Sequence, residues 1–258
     1  MLSDSGSFYA PRLLADVFDS PACSVDVIFV RTDYESKLQT FWNVLRQSGV
    51  RYSVNRALAL MRLGRRQRLS RRSSSLWRDM PLPDWTDVGQ ESQCRIEPIS
   101  TANSPHVREV LSSLRIDLIL STFYGEIVGT ETLNIPRVGA LNVHPSLLPQ
   151  LRGTNPVFWA LSEGLRTTGL TVHEMIAGID EGAVLMQHEL QIHDDVSHHD
   201  LYREIVEAAS PHLAETVERV ARKGLIDGIP QNASLASKFS KPTSAAYRKM
   251  RSNGHRFI

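Results

Sequence analysis

Apolar positions along the chain follow two spacings. One recurs every three or four residues, as on one face of a helix. The other is short, dense and bounded by turn residues, as in a buried strand. Pro11 to Phe18 has the helical spacing and Val25 to Val30 the strand pattern. Asp33 to Gln47 reads as helical, with Leu38, Phe41, Trp42 and Leu45 on one side. Asn55 to Leu69 is helical before it turns basic, and Asp84 to Gln93 is polar and loop-like. Pro105 to Leu114 predicts a helix, and Asp117 to Leu120 and Val138 to His144 predict strands. Asn155 is placed to cap a helix with Pro156 at its first position and Gly164 at its end. Thr171 to Met175 and Ala183 to Leu190 alternate like strands. Ser197 is placed to cap a helix running to Val220, which Pro211 is expected to kink or split. Helices alternating with apolar strands predict an α/β fold with a doubly wound, mostly parallel sheet. In such sheets ligands bind beyond the carboxyl ends of the strands.

Candidate chemistry gathers at two of those strand ends. His144 precedes Pro145, and a residue before proline is pushed out of the helical region. Residues two apart in a strand share a face, so Asn142 and His144 point the same way. Pro145, Pro149 and Gly153 then mark a loop. Gly178 and Gly182 bracket Asp180 in a turn that ordinary residues make less tightly. A carboxylate on such a hairpin can approach a neighbouring strand end. Each residue alone has a bland reading: a strand histidine packed for structure, an asparagine before a turn, an aspartate shaping a loop. His173 and His188 are read in that structural way. In combination, Asn-x-His-Pro-Ser-Leu-Leu-Pro, Arg-Gly, Pro-x-x-Trp-Ala, Thr-Val-His and Gly-x-Asp-x-Gly in this order read as functional.

That order resembles the signature of the folate-dependent formyltransferases, the family of glycinamide ribonucleotide, methionyl-tRNA and sugar N-formyltransferases. The resemblance covers residues 105 to 220 well and residues 1 to 104 loosely. Ser121 to Ile127 is similar to the family's strand-to-loop segment lining the pterin pocket. Ser146 to Gly153 matches the form of the tRNA and sugar branches. The resemblance implies a Rossmann-like formyltransferase fold, 10-formyltetrahydrofolate as formyl donor, and no metal. It implies catalytic roles for Asn142, His144 and Asp180. Asn142 and a protonated His144 would donate to the developing oxyanion, and Asp180 would raise the His144 pKa and orient its ring. Loss of one oxyanion donor typically costs about 3 to 4 kcal/mol. Folate contacts are implied at Phe123, Tyr124, Gly125, Ile127, Ile176, Ala177 and Ile179. Acceptor contacts are implied at Ser146, Arg152 and Gly153. Gly178 to Ala183 reads Gly-Ile-Asp-Glu-Gly-Ala where the family often has Gly-x-Asp-Thr-Gly-Asp, a departure that keeps Asp180.

Composition refines this picture. A formal net charge of +1 gives no argument for nucleic acid or an acidic membrane. Cys23 and Cys94 are far apart and suggest neither a disulfide scaffold nor a metal site. No apolar run approaches the ~18 residues that would span a membrane, and no signal pattern opens the chain, so a cytoplasmic enzyme is expected. His193, His198, His199 and Asp200 fit no strong metal motif. The expected layout is a catalytic domain over 1–224 with a truncated first βα unit at 1–14 and a basic insertion at 55–95, then a C-terminal extension over 225–258. Arg62, Arg65, Arg66, Arg68, Arg71, Arg72 and Arg78 crowd that insertion, as a solvated face or a phosphate site. The extension is too short for the separate barrel that the resemblance implies for the tRNA branch. The expected acceptor is therefore a small-molecule amine, either a nucleotide-linked amino sugar or an amino-acid-like amine. Alternatives are a hydrolase using the same three residues, an enzyme like methionyl-tRNA formyltransferase without the barrel, and a folate-binding protein without turnover. Homo-oligomerisation is left open.

Overall fold

The computed structural model describes residues 1–4, 8–32, 37–70, 85–92 and 94–258. Its main sheet has seven strands: β1 (Leu2–Asp4), β2 (Val27–Arg31), β3 (Arg95–Ile99), β4 (Leu118–Thr122), β5 (Gly139–His144), β7 (Thr167–Glu174) and β8 (Val184–Gln191). They lie in the order β3-β2-β1-β4-β5-β7-β8. The first five run parallel, and β7 and β8 close the sheet antiparallel. The doubly wound, mostly parallel sheet is thus present. β1 is only three residues long yet lies at the centre, with Leu2 opposite both Phe29 and Ser121. A separate pair joins β6 (Arg152–Gly153) to β9 (Lys238–Phe239).

Helices cover both faces of the sheet: α1 (Ala10–Leu13), α2 (Ala15–Asp19), α3 (Lys37–Ser48), α4 (Val50–Ser70), α5 (Trp85–Ser92), α6 (Pro105–Ser113), α7 (Thr130–Leu133), α8 (Pro156–Glu163), α9 (His198–Lys223) and α10 (Ser244–Ser252). The alternation of β5 shows how the faces divide. Leu141 and Val143 enter the larger core with α8 and α9, while Ala140 enters a smaller core with α6. Asn142 and His144 have the parity of Ala140 and therefore project from the α6 side of the sheet.

Several local expectations change. Residues 85–92, read as loop, form a helix because Trp85 and Val88 sit three apart and both bury against the larger core. The helix expected over 11–18 breaks at Leu14 into α1 and α2. Pro211 neither splits nor ends α9, which runs from His198 to Lys223 with Ser197 as its cap. Pro211 is exposed and so is Glu207, whose carbonyl loses the proline's missing donor to solvent. Asn155 precedes α8 as expected, but its side chain makes no capping bond; it takes a left-handed backbone at φ 56° instead. Residues 33–36, 84 and 93, and Arg71, Arg72 and Arg78 of the basic stretch, lie outside the described residues.

Residues 225–258 return to the body of the fold. Trp159 Nε1 donates to the Ser240 carbonyl (2.9 Å), and Ser162 Oγ donates to that of Ala246 (3.0 Å). Tyr247 and Met250 of α10 are buried against α8. No described helix is long and apolar enough to cross a membrane.

Phe158 is the hinge pin of this region. It is 1% exposed, with Tyr52 edge-on at 5.8 Å and Trp159 edge-on at 5.5 Å. Phe158→Ala is expected to destabilise the fold by about 3 to 5 kcal/mol, measured as a lower urea midpoint at unchanged slope. A loss below about 1 kcal/mol would show that the site collapses around the cavity.

Candidate active site

The sheet brings Asn142, His144 and Asp180 together. His144 ends β5 and is 4% exposed. Its Nε2 donates to the Leu151 carbonyl at 2.9 Å. A carbonyl only accepts, so Nε2 carries the proton and a neutral ring presents a bare Nδ1. That Nδ1 lies 3.6 Å from Asp180 Oδ2. Burial lowers the His144 pKa; the Asp180 charge and the Leu151 bond oppose it, and His173 adds to the lowering. The net shift is down from 6.5. Asp180 does push upward as expected, but desolvation outweighs it. The ring is neutral near pH 7.

Asp180 joins three segments. Its Oδ2 accepts from Gly153 N–H at 2.7 Å, and its Oδ1 lies 3.6 Å from His173 Nε2. Burial alone would raise its pKa, but the His173 contact, the charge that His144 gains at the acid pH where Asp180 titrates, and the Gly153 bond hold it down at about 2. The loop reaches this position through Asp180 itself, which adopts φ 54°. Aspartate is among the few non-glycine residues that tolerate that region. Gly182 serves close approach: a Cβ there would lie 1.9 Å from the Glu174 carbonyl oxygen.

Two further residues complete the site, and sequence reasoning missed both. His173 is paired with Asn142 across the β5–β7 ladder. Its Nδ1–H donates to the Glu174 carbonyl at 2.8 Å, and its Nε2 accepts from Asn142 Nδ2 at 3.2 Å. The Thr-Val-His segment was visible, but its register against β5 was not. Gln231 comes from beyond α9. Its Nε2 donates to the carbonyls of Asp180 (2.9 Å) and Gly182 (2.8 Å). Its Oε1 accepts from Arg152 Nε (3.2 Å) and Nη2 (2.7 Å). One amide thus uses both donors and its acceptor to tie the Asp180 loop to β6.

The implied acceptor contacts divide. Ser146 is fully buried and its hydroxyl donates to the Gln150 carbonyl at 3.0 Å. It tightens the turn and offers nothing to a ligand, which corrects the expectation. Arg152 is 8% exposed and holds Gln231, with Glu181 at 3.5 Å. It also supports the loop. Gly153 directs its N–H at Asp180, and a Cβ there would meet the Phe239 carbonyl oxygen at 2.1 Å.

The implied folate contacts lie on two loops. Tyr124 and Met175 pack on the same smaller core, and Phe123 packs on the larger core instead. The tyrosine hydroxyl is occupied: it donates to Glu126 Oε2 (2.5 Å) and accepts from Ala102 N–H (2.8 Å), while Arg31 covers the ring at 5.4 Å. Tyr124 therefore anchors its loop. Phe123 adopts φ 53° and meets Tyr202 edge-on. Gly125 N–H donates to Asp4 Oδ2 at 3.0 Å, and a Cβ there would lie 2.9 Å from that oxygen. Ile127 is 63% exposed and Ile176 45% exposed, one from each loop. Ala177 is exposed and Ile179 half-buried. The two isoleucines offer apolar surface that nothing in the protein covers among the described residues.

Comparison with known proteins agrees with this geometry. A family model described as formyl transferase matches residues 83–217. The methionyl-tRNA formyltransferase of Syntrophomonas wolfei is 32% identical over 154 residues, covering 58% of this chain and 49% of that protein. The bifunctional polymyxin resistance protein ArnA of Wigglesworthia glossinidia brevipalpis is 35% identical over 133 residues, covering 52% of this chain and 20% of that protein. The chain therefore spans about half, or less, of the length of these curated relatives. Among solved structures, phosphoribosylglycinamide formyltransferase from Anaplasma phagocytophilum superposes with a TM-score of 0.61 at 16% identity, over 94% of this chain and 97% of that one. WlaRD, a sugar 3N-formyl transferase, gives 0.61 at 15% identity over 98% and 78%. These two likenesses show a shared fold. The family model takes in more than half of the 258 residues, including Asn142, His144 and Asp180, and the chain belongs to the formyl transferase family.

Proposed function

We propose that the protein is an N-formyltransferase that moves the formyl group of 10-formyltetrahydrofolate to a small-molecule amine. One observation carries the reading: in a formyl transferase fold, a neutral buried His144 turns an unbonded Nδ1 to an ionised Asp180 at 3.6 Å, with Asn142 two residues before it on the same strand face. The exposed Ile127 and Ile176 give the pterin ring an apolar seat, so the residues present fit the donor.

The chemistry follows from the side chains. The acceptor amine forms a bond to the formyl carbon, and the carbon's bond to the folate N10 breaks. His144 Nδ1 takes the proton the amine loses and returns it to N10, so charge balances. While protonated, the ring lies beside Asp180, whose charge stabilises it without accepting the proton. Asn142 turns its N–H from His173 toward the negative charge growing on the formyl oxygen. His173, held at both nitrogens, fixes the amide's starting position. Near-neutral net charge and a segment 225–258 that packs on α8 and β6 support a small acceptor, such as a nucleotide-linked amino sugar or an amino-acid-like amine.

Incubation with 10-formyltetrahydrofolate, with and without a pool of amino sugars, sugar nucleotides and amino acids, tests this reading. Tetrahydrofolate release that depends on the pool, with a formylated product by mass spectrometry, is expected. Release without the pool would establish a hydrolase instead. In the active assay, His144→Ala is expected to lower kcat/KM by about 10² to 10⁴ and Asn142→Ala by about 10² to 10³, each with an unchanged circular dichroism spectrum. Near-normal rates in either variant would overturn the assignment. The neutral imidazole is the working form, and its pKa is depressed. Activity should therefore be level near pH 7 and fall on acidification through an apparent pKa below 6.5; a limb centred above 6.5 would contradict a neutral resting state. Gln231→Ala frees the Asp180 loop and should lower kcat by up to about 10²-fold with a smaller change in thermal midpoint. Wild-type kinetics in this variant would show that β6 alone holds the loop.

A further inference from the structure

A second concentration of charge lies away from this site. The sequence of α4 carries Arg51, Arg56, Arg62, Arg65, Arg66 and Arg68 and no acidic residue. α10 carries Arg248, Lys249 and Arg251, again with no acid. Two helices of one sign repel, yet these pack together, with Tyr52 and Tyr247 edge-on at 5.7 Å. A cleft of about 260 Å³ opens beside that contact. Arg51 and Arg62 face it from α4, Arg251 from α10, and Arg256 from the segment that follows. No aspartate or glutamate lines it among the described residues, and the α-carboxylate of Ile258, which also lines it, offsets only one of the four guanidinium charges.

Three observations separate this cleft from an ordinary solvated surface. Elsewhere arginines find carboxylates: Arg108 with Glu131, Arg137 with Asp117, Arg166 with Asp194, Arg203 with Glu207. The four arginines here have no ion-pair partner among the described residues. Two of them are already oriented, because Arg251 Nη1 donates to the His255 carbonyl (3.1 Å) and Arg256 Nη1 to that of Asp195 (3.3 Å). The walls are mixed, with Leu58 and the half-buried Phe257 beside the guanidinium groups. A planar guanidinium matches two phosphate oxygens at once, and several around one concavity suit a multiply charged anion.

We propose that this cleft is a second ligand site that binds a small diphosphate ester, its phosphates held by Arg51, Arg62, Arg251 and Arg256 and its organic part against Leu58 and Phe257. None of Asn142, His144 and Asp180 lines it, so the site is distinct from the formyl-transfer centre. The inference does not depend on the formyl-transfer reading.

Calorimetric titration of the whole protein with inorganic pyrophosphate and with ADP tests it. Saturable binding of one equivalent is expected, tighter for ADP than for pyrophosphate if the apolar wall takes part. The Arg51→Gln/Arg251→Gln double variant should bind at least about 10-fold more weakly, the factor expected from losing even one charge-assisted pair. Arg62→Gln alone, on the exposed face of α4, gives a second reading if the double variant is unfolded by circular dichroism. His144→Ala should bind both probes as the wild type does. No saturable binding by either probe, equal affinity in the folded arginine variants, or loss of binding in His144→Ala would each overturn the proposal. Binding of pyrophosphate without binding of ADP would overturn the assignment of an ester ligand.

Discussion

One buried carboxylate holds the candidate site in place. Asp180 sits among the Gly153 amide and two imidazoles, and each of these neighbours comes from a different stretch of chain. A charge removed from water is tolerated only where donors replace the water. β6 presents such a donor in the Gly153 N–H, while β5 and β7 bring the His144 and His173 rings to 3.6 Å on either side. The depressed Asp180 pKa records how well that replacement works. The same burial acts in the opposite sense on His144, because desolvation penalises whichever form is charged. An ionised acid beside a neutral base is the result, with the proton free to arrive during a reaction rather than before it.

The residues of this site were more legible than their supports. Asn142 and His144 could be placed on one strand face by parity, and the pre-proline rule set the strand's end. The α/β alternation gave the parallel sheet, because helical and strand periods are visible locally. What stayed hidden depended on long-range register. His173 faces Asn142 because β7 pairs antiparallel with β5 in a register that sets Val143 against Val172. Nothing in residues 167–174 specifies that offset by itself. Gln231 was hidden for the same reason, more than fifty residues from Asp180 in sequence and inside a stretch with no motif.

Other differences trace to tertiary context overriding local pattern. Residues 85–92 read as polar, yet two side chains three apart were enough to fold them as a helix against the core. Ser146 and Tyr124 were expected as ligand contacts because their segments resemble the family's. The structure uses both hydroxyls internally, on Gln150 and on Glu126. A polar group near a site is as often part of its frame as of its binding surface, since buried hydroxyls must be satisfied. Sequence shows that such a group is present, and only geometry shows whether its valences are already taken.

The Gln231 amide also bears on where the functional unit begins and ends. A fragment trimmed to the family-matched span, residues 83–217, would retain Asn142, His144 and Asp180. It would lack strands β1 and β2, the β9 partner of β6, and the Gln231 amide that bridges β6 and the Asp180 loop. The homology boundary is therefore narrower than the mechanical one: the three candidate residues lie in the matched segment, but the contacts that frame them are assembled from both flanks.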